Sequence, residues 1–372
     1  MKDKILFVGR FPPPIHGASM MNENYFNSQL IKNNFIIDRI IINNKEEPKD
    51  IGKFSFKKFF RIFKVFFQLK KKLKSFSPNL IYFEIAPIDF AFLRDSIYVL
   101  LCKFFGKKII FQIHARGINK KTNNFLWRRY YKFIFKNSKM ILLSWMLYPE
   151  VEKIIPKKNI FIVPNGIKNS FDEKKFKSIN DKRNEKKKPT LLFLSNLIKE
   201  KGALEVLKIC NELNKKNIDF ECLFVGPWQD LKFKKEWTNY LKENHLEDKC
   251  KHLGAKYGQD KEKILEKTNF LIFPTKYKNE SFPLVILEAF MFGIPVLAYN
   301  NGAIKEIVSK EFLGFVSEKN NWKELEKELE KELEKRIKNK QYPKKIRDYF
   351  KKDYTLEVAE KNLNKIFVGE MR

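Results

Sequence analysis

The chain has 372 residues, 75 Lys and Arg against 44 Asp and Glu, a formal net charge of +31 and 44% hydrophobic residues. That apolar share excludes wholesale disorder, and the length suggests about two domains at roughly 100–200 residues each. Four cysteines without a C-x-x-C pair, and four histidines, speak against a zinc site or a disulfide framework and for a reducing compartment.

Residues 4–8 form a short apolar strand, whose four apolar residues are too few for the core of an export signal. It runs into Gly9-Arg10-Phe11-Pro12-Pro13-Pro14-Ile15-His16-Gly17, a loop because the prolines end regular structure. A helical pattern follows over about 19–32. Strand-like runs recur at 35–42, 80–85, 108–113, 140–144 and 160–163, with helical patterns between them. Short apolar strands alternating with helices predict a parallel sheet wrapped on both faces. The apolar run 85–105 carries Asp89, Arg94, Asp95 and Lys103, which excludes a transmembrane helix there.

The charge is uneven. Residues 1–168 hold 32 Lys and Arg against 11 Asp and Glu, a net of +21, and the rest hold 43 against 33, a net of +10. A general richness in Lys, Asn, Ile and Phe accounts for part of this. Residues 53–76 carry nine basic residues and no acid. There Phe56, Phe59, Phe60, Phe63, Phe66, Phe67 and Leu73 recur at helical spacing on one side. A basic amphipathic helix suits an anionic lipid surface. The competing reading is a core-facing Phe stripe with a solvated back. No nucleic-acid motif accompanies the charge, so nucleic acid is not expected as a partner.

Residues 168–188 are polar and charged, with only Phe171, Phe176 and Ile179 apolar, and read as an interdomain linker. Then the alternation restarts: strand 190–194, helix 202–216, strand 219–225, helix 230–244, strand 250–253, helix 259–267, strand 270–273, helix 282–292 and strand 294–298. Two α/β units of similar size are expected, with a cleft between them. Residues 322–338 carry Leu325, Leu329, Leu333 and Ile337 at every fourth position among Glu and Lys, a structural helix docked by a narrow stripe.

The stretch 273–298 carries the most chemistry. Ser281 suits a helix N-cap and Pro283 a first helical turn. Free backbone N–H groups near Phe282 and Leu284 would offer an anion site. Glu280 just before this helix and Glu288 about two turns on would bracket a ligand with phosphate at the helix start and hydroxyls at both ends. Carboxylates accept hydroxyl hydrogens, which suits sugars.

The string E-S-F-P-L-V-I-L-E-A-F-M-F-G-I-P-V over 280–296 resembles the E-x7-E signature of the retaining family 4 glycosyltransferases. Their fold is GT-B, two Rossmann-like α/β domains facing a central cleft. Other segments fall in the family's order. Ser195-Asn196-Leu197-Ile198-Lys199-Glu200-Lys201-Gly202 looks like its G-R-L-x-x-x-K-G loop, and Val225-Gly226-Pro227 like its strand-turn. His252-Leu253-Gly254 matches the turn near the base. Val163-Pro164-Asn165-Gly166-Ile167 matches the end of the first domain, Phe111-Gln112-Ile113-His114 the strand that ends in a histidine, and Gly9 to Gly17 the loop that closes over the donor. The resemblance covers nearly the whole chain and is strongest in its second half.

By that resemblance, residues 1–168 form an acceptor-binding domain on which a C-terminal helix at about 350–372 packs back, and 169–349 bind the nucleotide sugar. Glu288 would bind the ribose and Glu280 the transferred sugar. Lys201 and the Phe282 and Leu284 amides, beside Ser281 and Gly254, would hold the diphosphate. His114 would contact the sugar near the reacting carbon. Gly17, beside His16, would let the loop backbone approach the phosphates. Asn196 stands where the family usually has Arg, and a neutral amide is no substitute for a cation on a leaving diphosphate; Arg10, Arg116 or another Lys could compensate.

The resemblance implies no metal and no other cofactor, and no D-x-D occurs in the chain. The implied activity is a hexosyl-type transfer, with retention, from a UDP- or GDP-sugar to a cell-surface glycan such as a lipid-linked oligosaccharide or lipopolysaccharide core. It would take place at the inner face of a bacterial cytoplasmic membrane, reached through 53–76. A nucleotide-sugar epimerase or a non-catalytic nucleotide-binding scaffold of the same fold are the alternatives. No G-x-G-x-x-G follows a strand and no P-loop occurs, so an oxidoreductase and a P-loop enzyme are disfavoured.

Overall fold

The computed structural model describes residues 2–13, 17–42, 56–186, 188–338 and 341–371, and only the backbone of 56–59 and 335–338. Its elements begin with β1 (Lys4–Gly9), α1 (Gly17–Asn27), α2 (Gln29–Asn34), β2 (Ile36–Ile41), α3 (Phe56–Ser75), β3 (Leu80–Glu84) and α4 (Asp89–Phe104). Next come β4 (Lys108–Gln112), α5 (Ile118–Lys121), α6 (Phe125–Phe135), β5 (Lys139–Leu142), β6 (Ile160–Ile162), α7 (Glu173–Asn184) and β7 (Thr190–Leu194). Then follow α8 (Ala203–Lys215), β8 (Glu221–Val225), α9 (Leu231–Glu243), β9 (Cys250–His252), α10 (Gly258–Lys267), β10 (Phe270–Phe273) and α11 (Leu284–Met291). The last are β11 (Val296–Tyr299), α12 (Ile304–Ile307), β12 (Gly314–Ser317), α13 (Trp322–Lys338), α14 (Tyr342–Asp353) and α15 (Leu356–Met371).

Two compact units result: Met1–Gly166 with Leu356–Arg372, and Ile167–Thr355. Each holds a six-stranded parallel sheet, in the orders β2-β1-β3-β4-β5-β6 and β12-β11-β10-β7-β8-β9. This is the expected two-unit α/β architecture. Strands such as β3 and β7 are buried at every residue, which is why they read as unbroken apolar runs rather than alternating ones. In β1, Leu6 and Val8 enter one core layer, and Ile5 and Phe7 the opposite one, as the two-residue period of a strand requires.

Four expectations need correction. The supposed linker 168–188 contains α7. Asp172 caps it by accepting from the Lys175 N–H at 2.8 Å, and Phe176, Ile179 and Arg183 are buried along one face. Both Arg183 terminal nitrogens donate to the Phe292 carbonyl at 3.1 Å. A buried cation completes the inner face, so hydropathy hides the helix. The helical pattern at 19–32 is interrupted at Ser28, whose hydroxyl accepts from the Ile31 N–H at 3.4 Å and starts α2.

The helix expected at 350–372 breaks at Tyr354–Thr355. Before the break, α14 belongs to the second unit, where the guanidinium of fully buried Arg347 donates to the Met291 and Phe171 carbonyls at 2.7 Å each. After it, α15 sends Ala359, Leu363 and Phe367 into the first unit's core.

The Phe residues of 53–76 do not share one side. Phe66 packs inward with Ile62, Val65, Leu69 and Leu73, whereas Phe60, Phe63 and Phe67 are exposed. Residues 53–55 and the side chains of Phe56 and Phe59 lie outside the described structure. Among the described residues, no helix is long and apolar enough to cross a membrane.

Candidate active site

In open parallel sheets, ligands bind beyond the carboxyl ends of the strands, where the strand order reverses. In the second unit that point lies between β7 and β10, since the chain moves from β7 to β8 on one side and β10 pairs β7 on the other. The loops leaving these two strands carry Lys201 and Glu280.

Lys201 ends a single 3₁₀ turn, Lys199–Lys201, after β7. Gly202 follows at φ 89°, and a Cβ there would meet the Pro274 carbonyl oxygen at 2.3 Å. Only glycine lets the two loops close to this distance. The closure brings Lys201 Nζ to 2.5 Å from Glu280 Oε2 and 4.6 Å from the Tyr277 ring centroid. The pair is shielded but not sealed, with side chains 14% and 11% exposed. Behind it, the loop 274–283 is held by Asn301 Nδ2, which donates to the Tyr277 carbonyl at 2.9 Å, and by the Ala303 N–H, which donates to the Ser281 carbonyl at 2.8 Å.

The start of α11 differs from expectation. Pro283, not Ser281, is its N-cap, and its backbone is extended at ψ 112°. The residue before a proline avoids the α region, which disfavours a helical Phe282, and α11 opens at Leu284, two residues late. Pro283 has no side-chain acceptor to offer the first turn. The opening amides, including that of Leu284, are therefore left for an outside acceptor. The Ser281 hydroxyl is buried without a hydrogen-bond partner, and Phe282 is buried. About a turn further along α11, Glu288 Oε1 lies 2.6 Å from Lys261 Nζ on α10, while its Oε2 is buried without a partner. A carboxylate oxygen, a hydroxyl and helix-start amides are thus unspent hydrogen-bonding groups on and just before α11, the helix that follows Glu280.

The other expected residues are placed as follows. Asn196 is exposed on the loop after β7. Gly254 follows β9 at φ 71°, its carbonyl accepting from the Gly226 N–H at 2.9 Å. Gly17 is the exposed first residue of α1, and His16 lies outside the described residues. His114, half-buried two residues past β4, belongs with Gly17 to the first unit. Arg116 is committed to Glu150 at 3.1 Å.

Sequence reading missed three participants. Lys261 is one lysine among many, with no spacing to mark it. His252 pins the loop after β8: its Nδ1 accepts from Trp228 Nε1 at 3.2 Å, leaving Nε2 to donate to the Gly226 carbonyl at 2.9 Å. Glu84 ends β3 fully buried at the first unit's own reversal point, between β1 and β3. It accepts from the Arg10 backbone N–H at 2.8 Å and Arg10 Nε at 3.0 Å, and forms an ion pair with Arg10 Nη2. Burial pushes this carboxyl up, but Arg10 and, more weakly, His114 outweigh burial and hold it below its ordinary value.

The cysteines also group in a way their spacing hides. The Sγ atoms of Cys210, Cys222 and Cys250 lie within 4.8 Å of one another, because β8 and β9 pair Cys222 with Cys250 under α8. They are buried in the core cluster that holds Phe224 and Trp237, and burial pushes the Cys210 and Cys222 thiols well up. Hydrogen bonds with Cys210 and Cys222 pull the Cys250 thiol the other way, down to about 5.

The two six-stranded parallel sheets with their helices have the GT-B fold. Residues 174–352, just under half of the chain, match the family model of the group 1 glycosyl transferases, and this match, with the relatives that follow, supports a transferase that moves sugars. An uncharacterized glycosyltransferase of Haemophilus influenzae is 24% identical over 285 residues, 70% of this chain and 76% of the relative. Other relatives are matched over less, the chain spanning 61% and 34% of their lengths. The crystal structure of HepE from Anabaena in complex with UDP superposes at TM-score 0.73 with 14% identity, over 98% of this chain and 100% of that one. The apo form of WaaB, a lipopolysaccharide outer core galactosyltransferase, superposes at 0.70 with 15% identity, over 99% of each chain.

Proposed function

We propose that the chain moves a sugar, with retention of anomeric configuration, from a nucleotide-diphosphate donor to a cell-surface glycan on a lipid carrier or lipopolysaccharide core. The observation that carries the donor half is the Lys201–Glu280 pair beside the uncapped start of α11, with Glu288 further along the same helix. The diphosphate takes the helix-start amides, the Ser281 hydroxyl and Lys201. Glu288 takes the ribose hydroxyls, and Glu280 those of the transferred sugar. Gly254 and Asn196 line the donor's approach. His114 and Gly17 serve the transfer step on the strength of the family resemblance.

In the chemical step the bond from the anomeric carbon to the donor phosphate oxygen breaks as the acceptor oxygen bonds that carbon from the same side. The acceptor proton passes to the departing phosphate, as the resemblance implies. The leaving diphosphate gains charge as it departs, and Lys201 and the helix dipole stabilise that charge. The protein positions and neutralises, and supplies no nucleophile.

UDP is the donor nucleotide to try first, since HepE binds it; GDP is the other. The acceptor class is supported by WaaB's place in lipopolysaccharide synthesis and by the first half's basic excess. The basic segment 53–76 is the surface for the anionic membrane that carries such an acceptor. Thermal unfolding with UDP, GDP and ADP and their sugars tests the reading. A ligand at about a hundred times its dissociation constant adds about 2.7 kcal/mol. Stabilisation by one nucleotide class, lost in Glu288→Ala, is the expected result; no stabilisation by any of them overturns the donor site.

A further inference from the structure

The face of the first unit that meets lipid is wider than the basic segment and has an apolar centre on another helix. A helix covering a parallel sheet buries one side and shows polar residues on the other. Helix α4 does not. Its inner side carries Phe92, Tyr98, Val99 and Cys102, all fully buried or nearly so. Its outward positions are Phe90, Leu93, Ile97, Leu100 and Phe104, a single stripe at spacings of three and four. All five are exposed, Phe104 to 85%. From Phe90 to Phe104 no charged residue is exposed on that side.

The neighbouring helices extend the stripe. Tyr98 Oη donates to the Ile62 carbonyl at 3.3 Å, joining α4 to α3, whose Phe60, Phe63 and Phe67 are exposed. Lys103 Nζ donates to the Phe133 and Lys136 carbonyls at 3.2 and 2.9 Å, joining α4 to the end of α6. On α6, Phe125 and Leu126, the latter 73% exposed, face outward at its start, and Phe133 does so near its end. Water-facing apolar side chains are ordinary when scattered, but a contiguous set of this size marks a contact surface.

Charge selects the occupant. Exposed Lys64, Lys70, Lys71 and Lys74 on α3, and Arg129, Lys132 and Lys136 on and after α6, flank the stripe, and neither helix contains an acid. Two copies of this face would press their cationic flanks together. An anionic bilayer answers both features, headgroups to the cations and acyl chains to the stripe.

We propose that α4, flanked by α3 and α6, is a membrane-docking face that seats Phe90, Leu93, Ile97, Leu100 and Phe104 in the headgroup boundary of an anionic bilayer. This deepens the reading above, on which the acceptor is carried by lipid. It also reverses the roles expected from sequence: the cations of 53–76 attract, and α4 inserts.

Sedimentation of the full chain with vesicles of equal parts phosphatidylglycerol and phosphatidylcholine tests the proposal. The parent should pellet with these and far less with phosphatidylcholine alone. Ile97→Ser with Phe104→Ser leaves the charge unchanged and should weaken partition by about tenfold or more. Lys70→Gln with Lys71→Gln should weaken it by roughly fivefold per cation at low salt. Serine variants that pellet like the parent overturn the proposal in favour of charge alone. Equal pelleting on neutral vesicles, or none on either, overturns it too. A parent dimer in solution that the serine variants dissociate would assign the face to a second copy. Nucleotide-induced stabilisation, measured on the same serine variants, reports folding and donor binding without vesicles. A failed donor site therefore shows as lost stabilisation with pelleting intact, and a failed docking face as the reverse.

Discussion

The two units solve one geometric problem in opposite ways. Each has a parallel sheet whose strand order reverses, and in each a cation from one loop meets a carboxylate at that point. In the first unit the pair is Arg10–Glu84, with Glu84 sealed from water and receiving the Arg10 backbone N–H as well as the guanidinium. In the second it is Lys201–Glu280, with both ends reachable from solvent and other polar groups nearby left unsatisfied. A sealed carboxylate fixes the loop that follows β1. On the function proposed above, the Lys201–Glu280 pair exchanges partners with a phosphate and a sugar. On that reading the same topology yields a fastener in one unit and a receptor in the other.

Breaking the fastener should show the largest effect. Glu84→Ala leaves the Arg10 backbone N–H and its partly buried guanidinium without their acceptor and is expected to cost about 3 kcal/mol in urea unfolding, whereas Glu280→Ala, which removes the acceptor of one Lys201 bond, should cost about 1–2 kcal/mol. Equal losses would erase the distinction. Next, Lys201→Met should lower the transfer rate about 10²–10³-fold, roughly 2.7–4 kcal/mol of transition-state stabilisation, with unfolding little changed. Activity that survives intact removes Lys201 from the leaving-group role.

Acid titration sharpens the same contrast. Glu84 is held below its ordinary carboxylate value in the fold, so its stabilisation is present above the ordinary range and fades as pH falls through the folded-state value. Glu84→Gln should flatten that acid limb of the stability profile, and an unchanged limb would show that other carboxylates set it. Asn196→Arg, which restores a cation on an exposed loop, should tighten UDP binding by about 0.5–1 kcal/mol in calorimetry. Smallest of all, Ser281→Ala should leave stability within about 0.5 kcal/mol, because its hydroxyl has no partner to lose, while weakening UDP measurably if the hydroxyl meets the phosphate.

What was legible in the sequence follows from what each element buries. Strands covered on both faces announce themselves by apolar content alone, so β1, β3, β4 and β7 stand near their expected positions. The Glu280-to-Glu288 string stood out because its neighbours resemble a family signature. Helix α7 was not, because Arg183 fills a place where an apolar residue would have signalled an inner face. The helix start at Leu284 was misjudged by two residues because the extended conformation of Pro283 outweighed the capping tendency of Ser281. The outward stripe of α4 was invisible for a different reason. A helix apolar on both sides has no periodic contrast, and only the packed structure shows which half faces out.

The route of the chain through the two units also has a kinetic consequence. Helix α15 is synthesised after the whole second unit, yet it supplies Ala359, Leu363 and Phe367 to the core around Phe7 and Tyr82. On the ribosome, the first unit keeps that layer open until the second has been synthesised. Its open inner sheet is then a temporary target for chaperones or for misassembly, and the unit that begins the chain is completed by its last helix.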